Sequence, residues 1–152
     1  MLEAAGRSLA DSDASKADAL LREAAAGRKA DPVQIWGWGG IANKLARQAF
    51  AGSDEAAMKS REKFFEARLR VAQTLLARAR LPGAADRDKR LDTAMSAIVM
   101  TRKLYPDLGG PVLEKKFEAV LKEIQKEQGS AAPGGFKQLE DRAAAPAAAA
   151  GS

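Results

Sequence analysis

Thirty-four of the 152 residues are alanine, whereas valine, isoleucine and threonine together number only twelve. Strands are built mainly from β-branched and aromatic side chains, and with so few of them the chain has little from which to make a sheet. An all-α fold is expected. At this length one soluble domain with a real core is the natural size.

Proline and glycine divide the chain at Gly27–Pro32, Gly52–Ser53, Pro82–Gly83 and Pro106–Pro111, and again after Gly129. Five helices fit between these breaks. The first is expected from Ser12 or Ser15 to Ala26, stopped by Gly27. The second opens on Asp31-Pro32-Val33-Gln34, an acidic N-cap followed by proline at the first helical position and a glutamine able to close a capping box. Three glycines follow within Trp36-Gly37-Trp38-Gly39-Gly40. Each costs a helix about 1 kcal/mol relative to alanine, so either they let this helix cross closely against the third or they mark a loop before a helix starting near Ile41. The third helix is expected from an N-cap at Ser53 to Arg80, with Met58, Phe65, Leu69, Ala72 and Leu76 on one stripe. The fourth runs from about Ala85 to Tyr105, and the fifth from Pro111 to the glycine at 129. Short breaks make neighbours antiparallel, with a core of Leu20, Leu21, Ile41, Leu45, Phe65, Leu69, Ala72, Leu76, Leu91, Ala94, Ile98, Phe117, Leu121 and Ile124. From Gly129 onward, 17 of 24 residues are Ala, Gly, Pro or Ser, which predicts a disordered tail or linker over 129–152 beside a helical domain over 1–128.

No cysteine or histidine is present, which removes thiolate nucleophiles, imidazole bases, the usual zinc sites and histidine-ligated haem. Carboxylate pairs four apart at Glu62/Glu66 and Glu114/Glu118 lack the histidines of a di-metal bundle and are read as solvated helix faces. No phosphate-binding loop is found, because Gly37-Trp38-Gly39-Gly40 has neither the spacing nor the following lysine. A non-catalytic chain without metal or cofactor is expected. The stretch Val33–Ala42 is about half a membrane span, and the first residues carry Glu3, Arg7 and Asp11 without an apolar run. No membrane association and a cytoplasmic location are therefore expected, unless a targeting segment lies outside this sequence.

The net charge of +5 is concentrated on the third helix, where residues 54–80 carry +3. One mildly basic helix is not the dense basic stripe of a dedicated nucleic-acid binder. Phe64 and Phe65 beside Arg61, Lys63 and Arg68 imitate a base-stacking surface, but helical spacing sends Phe65 to the core.

The stretch from Phe64 to Pro106 resembles a tetratricopeptide repeat. Its first helix carries Val71, Ala72 and Leu75 where that family has its large-small pair and following large residue. Its second carries Ala94, Ile98 and the closing Pro106-Asp107, and the helix from Pro111 would begin a next half repeat or cap the stack. Two departures stand out: Arg68 replaces an aromatic, and the turn from Arg78 to Lys89 is several residues long for the consensus. The resemblance implies a stack of helical hairpins whose concave face is lined by first helices, here Arg68, Gln73 and Lys116, and which prefers an acidic peptide or a carboxylate terminus.

Partner contact is thus expected at the exposed part of the third helix, through Arg61, Lys63, Arg70 and Gln73, and at Trp36 and Trp38. Two tryptophans two apart cannot share a helical stripe, so one caps an end or anchors a partner. The expected function is a protein-interaction scaffold. The alternatives are a subunit that assembles with copies of itself, and nonspecific nucleic-acid binding through the third helix.

Overall fold

The computed structural model describes residues 1–10, 13–29, 34–84 and 86–144. These form helices α1 (Leu2–Ser8), α2 (Ala14–Ala26), α3 (Trp38–Ala49), α4 (Glu55–Ala79), α5 (Arg87–Leu104), α6 (Pro111–Glu127) and α7 (Phe136–Ala144). Strands β1 (Gly27–Lys29) and β2 (Gln34–Trp36) make an antiparallel pair between α2 and α3, Gly27 opposite Trp36. The fold is all-α apart from this small ribbon.

Helices α2, α4 and α6 start where the local chemistry offers their free N–H groups an acceptor or removes one. Asp13 accepts from the Lys16 amide and Asp54 from the Ala57 amide, at 3.0 and 2.8 Å. The cap of α4 is thus Asp54, one residue beyond Ser53. Pro111 opens α6 after Gly110, whose φ of +104° suits glycine.

At the centre lies α4, with α3 and α5 running antiparallel to it. The Arg61 guanidinium near its start donates to the Ala49 carbonyl at the end of α3. On the other side Arg68 meets Thr101, while Arg90 near the start of α5 donates to the Arg78 carbonyl near the end of α4. Helices α2 and α6 also pack on α4. The main core joins Phe65, Leu69, Ala72 and Leu76 of α4 to Leu91, Ala94 and Ile98 of α5 and to Phe117, Leu121 and Ile124 of α6. At one end Phe50, Phe64, Phe65 and Tyr105 form a ring cluster, Phe50 stacked on Tyr105 with centroids 4.8 Å apart. A smaller cluster of Ala17, Leu21 and Leu81 holds α2.

Four expectations need correction. Helix α3 does not begin at Asp31: residues 34–36 are strand, Gly37 is the N-cap and the helix starts at Trp38. The glycines do allow close approach, but against α2, because a Cβ on Gly37 would stand 2.2 Å from the Gly27 nitrogen and one on Gly39 3.3 Å from the Ala25 carbonyl oxygen. The proposed cap at Asp31 and Pro32 lies outside the described residues.

The helices number seven among the described residues, because short α1 and α7 join the five expected. The stretch after Gly129 is not tail through residue 144. Gln125, buried on α6, donates to the Gly135 carbonyl and accepts the Gly135 N–H, which fixes the entry to α7. Phe136 then enters the core, with Leu139 packed against it and the Arg102 guanidinium 4.2 Å from the Phe136 ring centre. Two apolar residues three apart were enough to overcome a small-residue composition; residues 145–152 are outside the description.

Finally, three residues expected in the core, Leu20, Ile41 and Leu45, are only half-buried, and Met58 is 61% exposed. For Ile41 and Leu45 the reason is that a groove opens beside them.

Candidate protein-docking groove

Beside α4, on the side away from α5, three cavities adjoin one another. The middle one, of about 510 Å³, is lined by Trp38, Ile41 and Leu45 of α3, by Lys63, Glu66, Ala67, Leu69, Arg70 and Gln73 of α4, and by Lys116 of α6. Gln73 is shared with a cavity of about 320 Å³ toward the end of α4, which Leu21 of α2 and Val120 of α6 also line. Glu66 and Lys116 are shared with one of about 610 Å³ toward its start, where Met58 and Val112 are exposed. From Met58 to Arg80 this trough follows about 33 Å of helix, at 1.5 Å per residue.

Five of the eight residues singled out from the sequence meet in the middle cavity: Trp38, Lys63, Arg70, Gln73 and Lys116. Helical spacing explains the α4 members, since 63, 66, 70 and 73 are three and four apart and therefore share a face. Lys116 reaches the same space because α6 packs across α4. The other three lie elsewhere. Trp36 is on β2, 49% exposed, with the Lys44 ammonium 5.4 Å from its ring centre. Arg61 is spent on the Ala49 carbonyl and on the face of Phe50. Arg68, expected on the open face, turns to the α5 side, where its Nε–H donates to the Thr101 hydroxyl at 3.1 Å.

The floor of the groove is apolar, and its rim carries three cations, Lys63, Arg70 and Lys116, with one carboxylate, Glu66. Among the described residues neither Lys63 nor Lys116 has an ion-pair partner, and Arg70 has only Glu3 at 3.9 Å. The Gln73 side-chain oxygen is buried and, among the described residues, accepts no hydrogen bond, an unusual state for a buried acceptor and a costly one. Trp38 donates its indole N–H to Glu3 of α1 at 3.1 Å, and Glu3 is buried although it is a carboxylate. Sequence reasoning missed Glu3, because a contact between residues 35 apart leaves no local pattern.

Among the described residues two carboxyls have perturbed ionisation, and both are structural and lie outside this cavity. Burial alone would raise the pKa of Asp18 on α2. It is outweighed by hydrogen bonds and charge from Arg78, helped by Arg90 and Arg22, so the group sits below its ordinary value. Glu127 is held low in the same way, burial being outweighed by Arg80 and Arg87. Both bind helix to helix: Asp18 joins α2 to α4 and α5, and Glu127 joins α6 to the end of α4 and the start of α5.

Ser60 and Lys63 stand three apart on α4, but Ser60 lines a separate recess with Gln48 and Asp54. No cluster of three acidic side chains capable of holding a metal is found among the described residues. Among the described residues no helix is long and apolar enough to cross a membrane. No family model matches this chain, and neither a curated protein nor a solved structure matches it.

Proposed function

We propose that this chain is a non-catalytic interaction module, a tetratricopeptide-like stack whose α3–α4–α6 groove docks an acidic, partly apolar segment of a partner protein. The observation that carries the reading is one groove combining a half-buried aliphatic floor, at Ile41 and Leu45, with the unpaired cations Lys63 and Lys116 and the unsatisfied Gln73 oxygen. Apolar anchors of a partner would displace water from the floor, its carboxylates would meet the cations, and Gln73, by turning its amide toward the ligand, would gain the N–H donor it lacks. Packing of α2 and α6 on α4, with α3 and α5 as alternate neighbours, supports the repeat-like reading, since alternate helices then line one face. Glu62 and Glu66 interrupt the cations along α4, which favours an acidic peptide over a polyphosphate backbone.

Selection of short random peptides on the full chain tests this. Enrichment of Asp or Glu near Leu, Ile, Met or Phe is expected. The double variant Lys63→Glu, Lys116→Glu should bind the selected peptide at least tenfold more weakly while melting like the parent. Absence of any selected peptide, or equal binding by the variant, overturns the proposal.

Exposed Met58 and Val112 at one mouth of the trough, with Leu104 and Met100 exposed on α5, favour self-assembly as a second reading. Mass that grows with concentration in light scattering, and that Met58→Lys abolishes, would establish it. A constant mass of 16.1 kDa would remove it.

A further inference from the structure

Two residues of the groove, Trp38 and Arg70, are already turned to a carboxylate that stands behind them. Glu3, on the seven-residue helix α1, is 9% exposed, and its Oε2 accepts the Trp38 indole N–H at 3.1 Å. Its Oε1 accepts from Arg7 at 2.6 Å and stands 3.9 Å from the Arg70 Nη1. Trp38 and Arg70 both line the middle cavity. They therefore present one indole N–H and one guanidinium to the same carboxyl group, a donor set suited to an acid and to little else.

This occupant is loosely held on the Arg70 side. The Arg70 side chain is 53% exposed, its distance to Glu3 is an ion pair rather than a hydrogen bond, and no other acceptor engages it among the described residues. A helix of seven residues has little stability of its own and depends on its contacts. Those contacts are its packing along α2, closest where Gly6 sits on Leu21 and even a Cβ would come within 2.8 Å, the seating of Leu9 and Ala10 beside the same cluster, and the polar hold on Glu3.

We infer that Trp38 and Arg70 form the carboxylate subsite of the docking groove, and that Glu3 is its internal occupant, exchanged for an Asp or Glu side chain of the partner when the partner binds. The inference rests on the docking reading above. The incoming carboxylate accepts from Trp38 and takes the Arg70 fork at closer range than Glu3 does, while the released Glu3 keeps Arg7 four residues along α1 as its counter-ion. Partner affinity is thereby set in part by how firmly α1 holds the corner.

The test uses the peptide selected on the full chain. Glu3→Gln keeps an oxygen for Trp38 but removes the charge that competes with the ligand, so affinity by fluorescence anisotropy should rise about fivefold. In a Trp36→Phe background Trp38 is the sole indole, and its emission should shift on peptide binding. A measurement on the unmodified chain needs no variant to fold: amide hydrogens of residues 5–8 should exchange faster when peptide saturates the groove. If peptide binds but Glu3→Gln leaves affinity unchanged or lowers it, or α1 protection does not fall, the exchange is overturned and the docking reading stands. If no peptide binds the parent chain, both fall.

Discussion

Alanine at Gly37 should be far more damaging than alanine at Gly39 or Gly40, although the three lie within four residues. Gly37 has φ −80° and ψ 168°, a conformation open to any residue, so its backbone imposes no penalty. The penalty comes from where its Cβ would fall: 2.2 Å from the Gly27 nitrogen, 2.5 Å from the Ala26 carbonyl carbon and 2.7 Å from that of Ala25. Ordinary contact begins near 3.4 Å, so the end of α2 would have to move by about 1 Å, and no rotamer change can relieve a clash with backbone. Overpacking of this severity costs about 3 kcal/mol. For a chain of this size that lowers Tm by roughly 6–12 °C. At Gly40 the Cβ would meet only the ring edge of Trp36 at 3.0 Å, and that half-exposed ring can swing away. Alanine there gains helix propensity, and Tm should rise by about 1–3 °C. Gly39, at 3.3 Å from the Ala25 oxygen, should fall between them. Calorimetry of the three variants decides the matter. A Gly37→Ala protein melting within a degree of the parent, or three indistinguishable variants, would refute the close packing of the α3 start on the end of α2.

Other perturbations follow from particular contacts. Phe136→Ala should destabilise by about 3 kcal/mol, because it empties a buried ring site in the main core; denaturant unfolding would show a midpoint near the parent's if α7 were a tail. Asp18→Asn removes the negative charge, and one of the two acceptor oxygens, shared by Arg78, Arg90 and Arg22 and should destabilise at neutral pH. Because the folded pKa of Asp18 is lowered, its contribution is complete above the ordinary carboxylate value and is lost as pH falls through the folded one. The gap in Tm between parent and variant should therefore close on acidification, and a gap that widens would contradict the sign. Gln73→Met should raise stability by about 1 kcal/mol, since an unsatisfied buried oxygen disappears, while weakening the selected peptide; tighter binding by this variant would exclude Gln73 as a partner acceptor.

Much of the scaffold was legible in the chain. Asp54, Pro106 and Pro111 act through local chemistry, and the long apolar stripes of α4 to α6 repeat with helical spacing, so those boundaries fall within two or three residues of expectation. The groove was legible in part for the same reason, as Lys63, Arg70 and Gln73 share a face by spacing alone. What failed depended on tertiary partners. The Asp31-Pro32 signature describes a good helix start, but pairing of Gln34–Trp36 with Gly27–Lys29 and the fit of Gly37 on α2 won over it. Arg68 has a neighbour on α5 that no pattern within α4 reveals. Phe136 lies in a stretch whose composition reads as tail, although its spacing to Leu139 and the glycine before it are a usable signal.

The central claim is that a partner lies along the α3–α4–α6 face, and amide chemical-shift mapping tests it most directly. Titration of the isotope-labelled full chain with the selected acidic peptide should shift amides of residues 38–45, 63–73 and 113–120. The outward side of α5 around Ser96 and Met100 should remain unmoved. Shifts centred on that side, or on the exposed Trp36 ribbon with the groove silent, would contradict the account.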